Sequence, residues 1–295
     1  MFNKPTQSGK NPQHNRSTNG AIQLRVLVFL PQQPETTLTT LGLIGAWKAA
    51  MPEVEFDALC VQPIKPLARH CKSLRLVISY IESDQPFKRD LQQGNQLYAF
   101  GYKCAMALTT NLHPQLMLRF AKVRWRMGWK RPGHRLLLSN AFTAGDWQGL
   151  WQAFSPDLPF PSTPPIPQLG GDTAESHSAM LWRGLNKNKT ILVITDQPLA
   201  AVWSKALQQA RQHGTSVLAC GSQATTSGKE NKPSWCDAVL DSPYQHEALA
   251  IMPSVRLLVG MAPAHQCLAA AFGVDYADSD HDQPSAIRLT YEHSQ

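Results

Sequence analysis

At 295 residues, the chain is long enough for one large domain or two of ordinary size. With 43% apolar and 17% charged residues it can bury a sizeable core, which excludes a charged, unfolded chain. The formal net charge of +7 favours an anionic partner: a nucleotide, nucleic acid or an anionic lipid surface.

Residues 1–20 are rich in Asn, Gln, Ser, Thr and Lys and lack the apolar stretch of a signal peptide, so they read as a disordered tail. The run Leu24–Leu30 is a buried parallel strand ended by Pro31. After the loop PQQPETT, Thr36 or Thr37 is placed to N-cap a helix reaching about Ala50, which Met51-Pro52 stops. Val54–Val61 is the next strand, so the opening is a strand–helix–strand unit of a parallel α/β sheet. A short helix over 64–71, strands at Leu74–Tyr80 and Cys104–Leu108, and a helix over about 114–122 follow. That helix leads into a basic segment ending at Trp129. Leu136–Leu138 is the expected last strand and 146–154 the last helix.

The stretch 155–171 holds six prolines, which rule out regular structure and mark an extended connector. The expected division is an N-terminal domain over 21–154, a linker over 155–189 and a C-terminal domain over 190–295. The second series has strands at Thr190–Thr195, Ser216–Cys220, Ala238–Leu240 and Val255–Val259. Helices are expected at 198–213, about 244–252 and about 263–272. Gly221–Pro233 reads as a mobile loop, and the residues after Val274 as a polar, acidic tail. No apolar run reaches the ~18–20 residues of a membrane span. Six cysteines form no C-x-x-C pair and fit no zinc spacing, so free, mostly buried thiols in a cytoplasmic protein are expected. Two doubly wound α/β domains leave a cleft between their strand carboxyl ends, where such sheets bind ligands.

Three segments stand out in order: RVLVFLPQQPETTLTTLGLIGAWKAAMPEVEFDAL, LMLRFAKVRWRMGW and ALAIMPSVRLLVGMAPAHQCLAAAFGV. Together they resemble the bacterial glycosyltransferase family 9, the ADP-heptose:lipopolysaccharide heptosyltransferases. The last is similar, without gaps from Gly260 to Gly273, to the family's G-N-D-S-G-P-x-H-L-A-A-A-L-G. The resemblance implies two Rossmann-like domains facing a cleft, the GT-B architecture, and metal-independent, cofactor-free transfer of heptose with inversion. It implies a nucleotide-sugar partner, ADP-heptose-like, and a lipopolysaccharide-type or other envelope glycolipid acceptor at the inner face of the cytoplasmic membrane. It also implies a general base in the first domain and a donor diphosphate held at a helix N-terminus in the second.

Residue by residue, the chain departs from that pattern. Glu35-Thr36 stand where the family has Gly-Asp. Thr36 cannot accept a proton near neutral pH as a carboxylate can. Glu35 is either the substitute base or a solvated carboxylate at a helix start. Ala262, Pro263, Ala264 and His265 replace Asp-Ser-Gly-Pro, and Cys267 replaces the His. The donor candidates are therefore Gly260, Met261, Ala262 and His265, with Lys205 after the first strand of the second domain. His265 faces a diphosphate or is a surface histidine; Lys205 reaches phosphate or is a solvated helix lysine. In the basic segment, Arg124, Arg126 and Arg131 form an acceptor-side or anionic-surface contact. Alternatively, the segment is a strand with Arg124 and Arg126 out and Trp125 in. Nucleic acid ranks below both, since no nucleic-acid motif accompanies the cations. Two functions stay open: a divergent glycosyltransferase, and a non-catalytic relative that keeps the fold to bind or scaffold.

Overall fold

A computed structural model describes residues 24–80, 83–131, 136–163, 165–185, 189–195, 199–221, 233–280 and 284–287. The expected disordered tail and nearly all of the expected mobile loop lie outside them.

The first half is a six-stranded parallel sheet ordered β3-β2-β1-β4-β5-β6. Its strands are β1 (Arg25–Phe29), β2 (Glu55–Cys60), β3 (Leu74–Ser79), β4 (Cys104–Ala107), β5 (Trp125–Trp129) and β6 (Asn140–Phe142). β1 lies at the centre because its continuous apolar run can be buried on both faces. The second half is a five-stranded parallel sheet ordered β11-β10-β7-β8-β9. It contains β7 (Thr190–Ile194), β8 (Ser216–Cys220), β9 (Ala238–Leu240), β10 (Val255–Gly260) and β11 (Asp275–Asp278). Both are doubly wound. The strand order reverses between β1 and β4 in one half and between β7 and β10 in the other.

Helices of the described residues include α1 (Pro34–Ala50), α2 (Lys65–Arg69), α3 (Pro86–Tyr98), α4 (Leu112–Phe120) and α5 (Trp147–Phe154), then α6 (Thr173–Trp182), α7 (Ala201–Gln212), α8 (His246–Ile251) and α9 (Pro263–Phe272). α1 starts earlier than a threonine cap would place it. Pro34 occupies the first turn, where its fixed φ suits the helix, and Gln33 is the N-cap without a side-chain bond. Thr37 is fully buried, and its hydroxyl donates to Pro31 O at 2.9 Å.

Four elements differ from the sequence expectation. α3 was not expected because its buried face is Asp90, Gln93, Gly94 and Leu97, largely polar side chains that carry no apolar period. Asp90 is compatible with burial because it bonds Arg89 and His113. α6 lies in the expected linker; Asp172 caps it by accepting from Ala174 N–H at 2.8 Å, and Ser176 and Met180 are buried. The edge strand of the first sheet is β6 rather than Leu136–Leu138, where Leu136 is 89% exposed. The acidic segment after Val274 contains β11, which pairs with β10 and buries Ala277. Farther on, Ile287 is fully buried in the second half's core beside β7 and α7 residues.

The proline-rich linker is bonded to both halves. Trp47 Nε1–H donates to Ser155 Oγ at 3.1 Å, and its indole stacks on Trp151. Cys71 and Leu169 form an antiparallel bridge, and Lys72 N–H donates to Gln168 O. Leu169 N–H donates to Ala271 O in α9. His70 accepts from Gly170 N–H through its carbonyl, and its Nδ1–H donates to Gly170 O at 2.8 Å. α1 packs against α9, and α2 against α8, so one apolar core runs through both halves. Among the described residues no helix is long and apolar enough to cross a membrane.

Candidate functional site

The cleft between the halves is a cavity of about 580 Å³ bounded by α1, the linker and α9. Glu35, exposed in the first turn of α1, is its one charged lining residue among those described, with Gln266 on the opposite wall. Most of the rest is apolar: Leu38, Pro165, Ile166 and the turn Ala262–Ala264. The linker reaches this place because α1 has no side chain at Gly42. A Cβ there would lie 1.8 Å from Pro165 O.

On the far wall, α9 begins just after β10. Gly260 at the strand end keeps its carbonyl occupied, accepting from Tyr276 Oη–H and from Ser279 N–H, each at 3.0 Å. His265 is buried, at 7% exposure, which corrects the surface-histidine reading. Its ring lies over Gly260, where a Cβ would come within 2.7 Å of Nδ1. Nδ1 accepts from Ala262 N–H at 3.4 Å. A helix N-terminus binds anions through its unpaired amides. Here Pro263 has none, Ala262's turns to the imidazole, and those of His265 and Gln266 turn to Ala262 O. Every amide of that turn other than Ala264's is therefore absent or paired. Met261 is half-buried beside it. Cys267, at the position of the family's histidine, lines the cleft, and burial pushes its thiol pKa up.

Thr36 does not face this cavity. It lines a second one of about 500 Å³, in the crevice outside the β1/β4 switch point. Its floor includes Pro31, Leu108 and Trp129, and its rim Gln32, Gln33, Thr109 and Thr110. Trp147 forms a wall, its ring edge-on to Trp129 with centroids 5.0 Å apart. Gln115, fully buried, donates to Trp129 O at 3.2 Å and holds that strand end. This crevice was absent from the sequence reading. The signal was available in the loops following two apolar strands, since those loops flank the switch point whenever β1 and β4 are neighbours.

The remaining candidates lie apart from both cavities. Lys205 is exposed on α7 and lines neither. Arg124 and Arg131 are exposed, but Arg126 is turned inward, which corrects the expected alternation. Its Nε–H donates to Leu137 O at 2.6 Å and another N–H to Val123 O. Burial, and next Arg119, lower its pKa. Trp125 is the residue that turns out, at 56% exposure. Arg126 is thus committed to holding the β5–β6 connection, leaving Arg124 and Arg131 as the exposed cations of the proposed three.

No protein-family model and no curated protein matches the sequence. Solved structures do. ADP-heptose lipopolysaccharide heptosyltransferase II of E. coli aligns with a TM-score of 0.66 at 17% identity, over 86% of this chain and 84% of that one. A glycosyltransferase family 9 protein of Veillonella parvula gives 0.66 at 11% identity, over 87% and 81%. E. coli heptosyltransferase WaaC, solved with ADP, gives 0.56 at 13% identity, over 92% and 97%. The strand order in each half and these alignments agree: the chain has the two-domain α/β glycosyltransferase fold of the family 9 heptosyltransferases.

Proposed function

We propose that the chain is a heptosyltransferase-like glycosyltransferase that moves a sugar from a nucleotide-sugar donor to an envelope glycolipid acceptor. One observation carries this reading: Glu35 of the first half and the N-terminal turn of α9 line the same cavity. A carboxylate there can take the proton of an acceptor hydroxyl as that oxygen attacks the anomeric carbon from the face opposite the leaving diphosphate. The donor is assigned to the side of Gly260, Met261, Ala262 and His265, because the turn that follows Gly260 forms the cleft wall opposite Glu35; a similar structure was solved with ADP-2-deoxy-2-fluoro heptose. Arg124 and Arg131 supply positive charge for an anionic acceptor or the membrane face where it resides. Calorimetric titration with ADP-heptose and other nucleotide sugars tests the donor half of the reading. Heat of binding is expected, and its absence at millimolar donor would sink the proposal. In a binding chain, Glu35→Gln should lose transfer while retaining donor affinity; full activity would remove Glu35 as the base.

A second reading, a relative that binds without transferring, is favoured by the closure of the α9 turn. The bond from Ala262 N–H to His265 and the proline at position 263 remove donors that a diphosphate would use. Donor binding without transfer to any acceptor would select it.

A further inference from the structure

The crevice at the β1/β4 switch point is a separate cavity whose chemistry differs from that of the cleft. Its volume of about 500 Å³ is within the roughly 300–1,000 Å³ of small-ligand sites. Among the described residues, no lining side chain is charged. The polar groups are two carboxamides, Gln32 and Gln33, and three hydroxyls, Thr36, Thr109 and Thr110. Carboxamides and hydroxyls both donate and accept, so they suit a ligand rich in hydroxyl groups. Two of the hydroxyls are already oriented: Thr36 Oγ1 donates to Gln33 Oε1 at 3.4 Å, and Thr109 Oγ1 accepts from Asn111 N–H at 3.2 Å.

The apolar part is equally specific. Trp129 is almost wholly buried, at 4%, and supports Trp147 from below in an edge-on contact. Trp147 is only half-buried and belongs to the cavity wall. A rigid indole offers a flat apolar surface with little conformational entropy to lose. A pyranose ring presents axial C–H groups on one face and hydroxyls around its edge. It therefore matches an indole wall with an amide and hydroxyl rim. A phosphorylated sugar or a nucleotide would bring charge that, among the described residues, no lining side chain balances.

From this geometry we infer that the crevice binds an uncharged pyranose unit, with Trp147 against its C–H face and Gln33, Thr36, Thr109 and Thr110 around its hydroxyls. Calling that unit the acceptor end rests on the glycosyltransferase reading above; the saccharide site itself does not. α1 joins the two, since its first turn places Thr36 in the crevice and Glu35 in the cleft.

The test uses the full chain, with saturation-transfer NMR and tryptophan fluorescence. The probes are methyl glycosides of glucose, galactose and mannose, oligomers of N-acetylglucosamine, glucose 6-phosphate and ADP. At least one neutral saccharide should give saturable quenching with a Kd of roughly millimolar strength, and its ring C–H protons should be the most strongly saturated. Trp147→Ala should weaken that binding at least tenfold, and Thr110→Val several-fold, with thermal melting showing that Thr110→Val remains folded. Absence of any neutral-saccharide signal at tens of millimolar overturns the inference. So does tighter binding of glucose 6-phosphate, or unchanged binding in folded Trp147→Ala or Thr110→Val. Saccharide binding in a chain that ignores every nucleotide sugar would leave the crevice assigned and remove the transferase reading. Donor binding without saccharide binding would do the reverse.

Discussion

The two halves share a strand order and part company where that order reverses. In the first, the crevice outside β1 and β4 is open, with tryptophan, carboxamide and hydroxyl groups around it. In the second, the end of β10 is covered: His265 lies over Gly260 and takes the Ala262 amide, while Pro263 has none to offer. Both arrangements are compatible with the same doubly wound sheet, because the sheet needs only the apolar strands and the helices behind them. What the loops do at the switch point is free to diverge. In this chain the half expected to hold an anion has lost or paired every amide of the α9 turn but Ala264's, and the half expected to hold an acceptor has kept an open crevice at its switch point.

The contrast assumes that the halves are fixed against one another, and the largest effect should come from disturbing that. In Gly42→Ala the new Cβ would meet the backbone oxygen of Pro165, so α1 and the linker must separate. A loss of about 3 kcal/mol in urea unfolding is expected. A variant as stable as the parent would show that the linker does not press on α1.

Next, Gly260→Ala should displace the imidazole, since its Cβ would meet Nδ1 at 2.7 Å and His265 Cβ at 2.9 Å. A cost of about 1–2 kcal/mol is expected, together with a shift of the His265 ring resonances in NMR. His265→Ala addresses the same contact without overpacking. It releases the Ala262 amide, and one charge-assisted hydrogen bond is worth about 1.5–3 kcal/mol. ADP affinity should rise about tenfold or more. Unchanged affinity would mean that the imidazole is not what closes this turn.

The smallest effect concerns Cys267. Burial disfavours its thiolate, so its pKa lies above the ordinary thiol range. Alkylation by a neutral maleimide should be slow at pH 7 and accelerate about tenfold per pH unit towards about pH 9, because only the thiolate reacts. Cys60 and Cys104, buried in the first sheet and pushed up to about 12, should lag far behind. A ligand occupying the cleft should slow the Cys267 reaction, whereas a sugar in the switch-point crevice should leave it unchanged.

Much of this architecture is written in local pattern. Ser216–Cys220, Ala238–Leu240 and Pro263–Phe272 occur where apolar runs and a proline place them. The proline-rich stretch does run between the sheets. α3 was illegible because burial there is borne by Asp90, Gln93 and Gly94, and two of the groups that make this possible, His113 for Asp90 and Ser79 O for Gln93, lie on other elements. β11 was illegible because a short acidic segment becomes a strand only through its neighbour β10. For the site, Glu35 could be singled out from its place beside the expected base position, and the cleft does include it. His265 could not be read correctly: whether a histidine in a first turn faces solvent or folds back depends on the missing side chain at Gly260, five residues earlier. Trp125 and Arg126 exchanged their expected faces because two backbone carbonyls, Val123 O just before β5 and Leu137 O in the β5–β6 connection, rather than solvent, receive the guanidinium.

The bonds that run from the linker to both halves have a consequence for access. A chain of six prolines between two domains is ordinarily the easiest place for a protease to enter and the natural pivot for a hinge. Here residues 168–170 are tied to His70, Lys72 and Ala271 through the backbone, and Pro165 is wedged against α1. Swinging the halves apart would strip those hydrogen bonds before the core separated. The segment behaves as a seam rather than a pivot. Opening the cleft by a hinge would therefore cost those hydrogen bonds, and a nick in the seam should loosen the whole molecule at once.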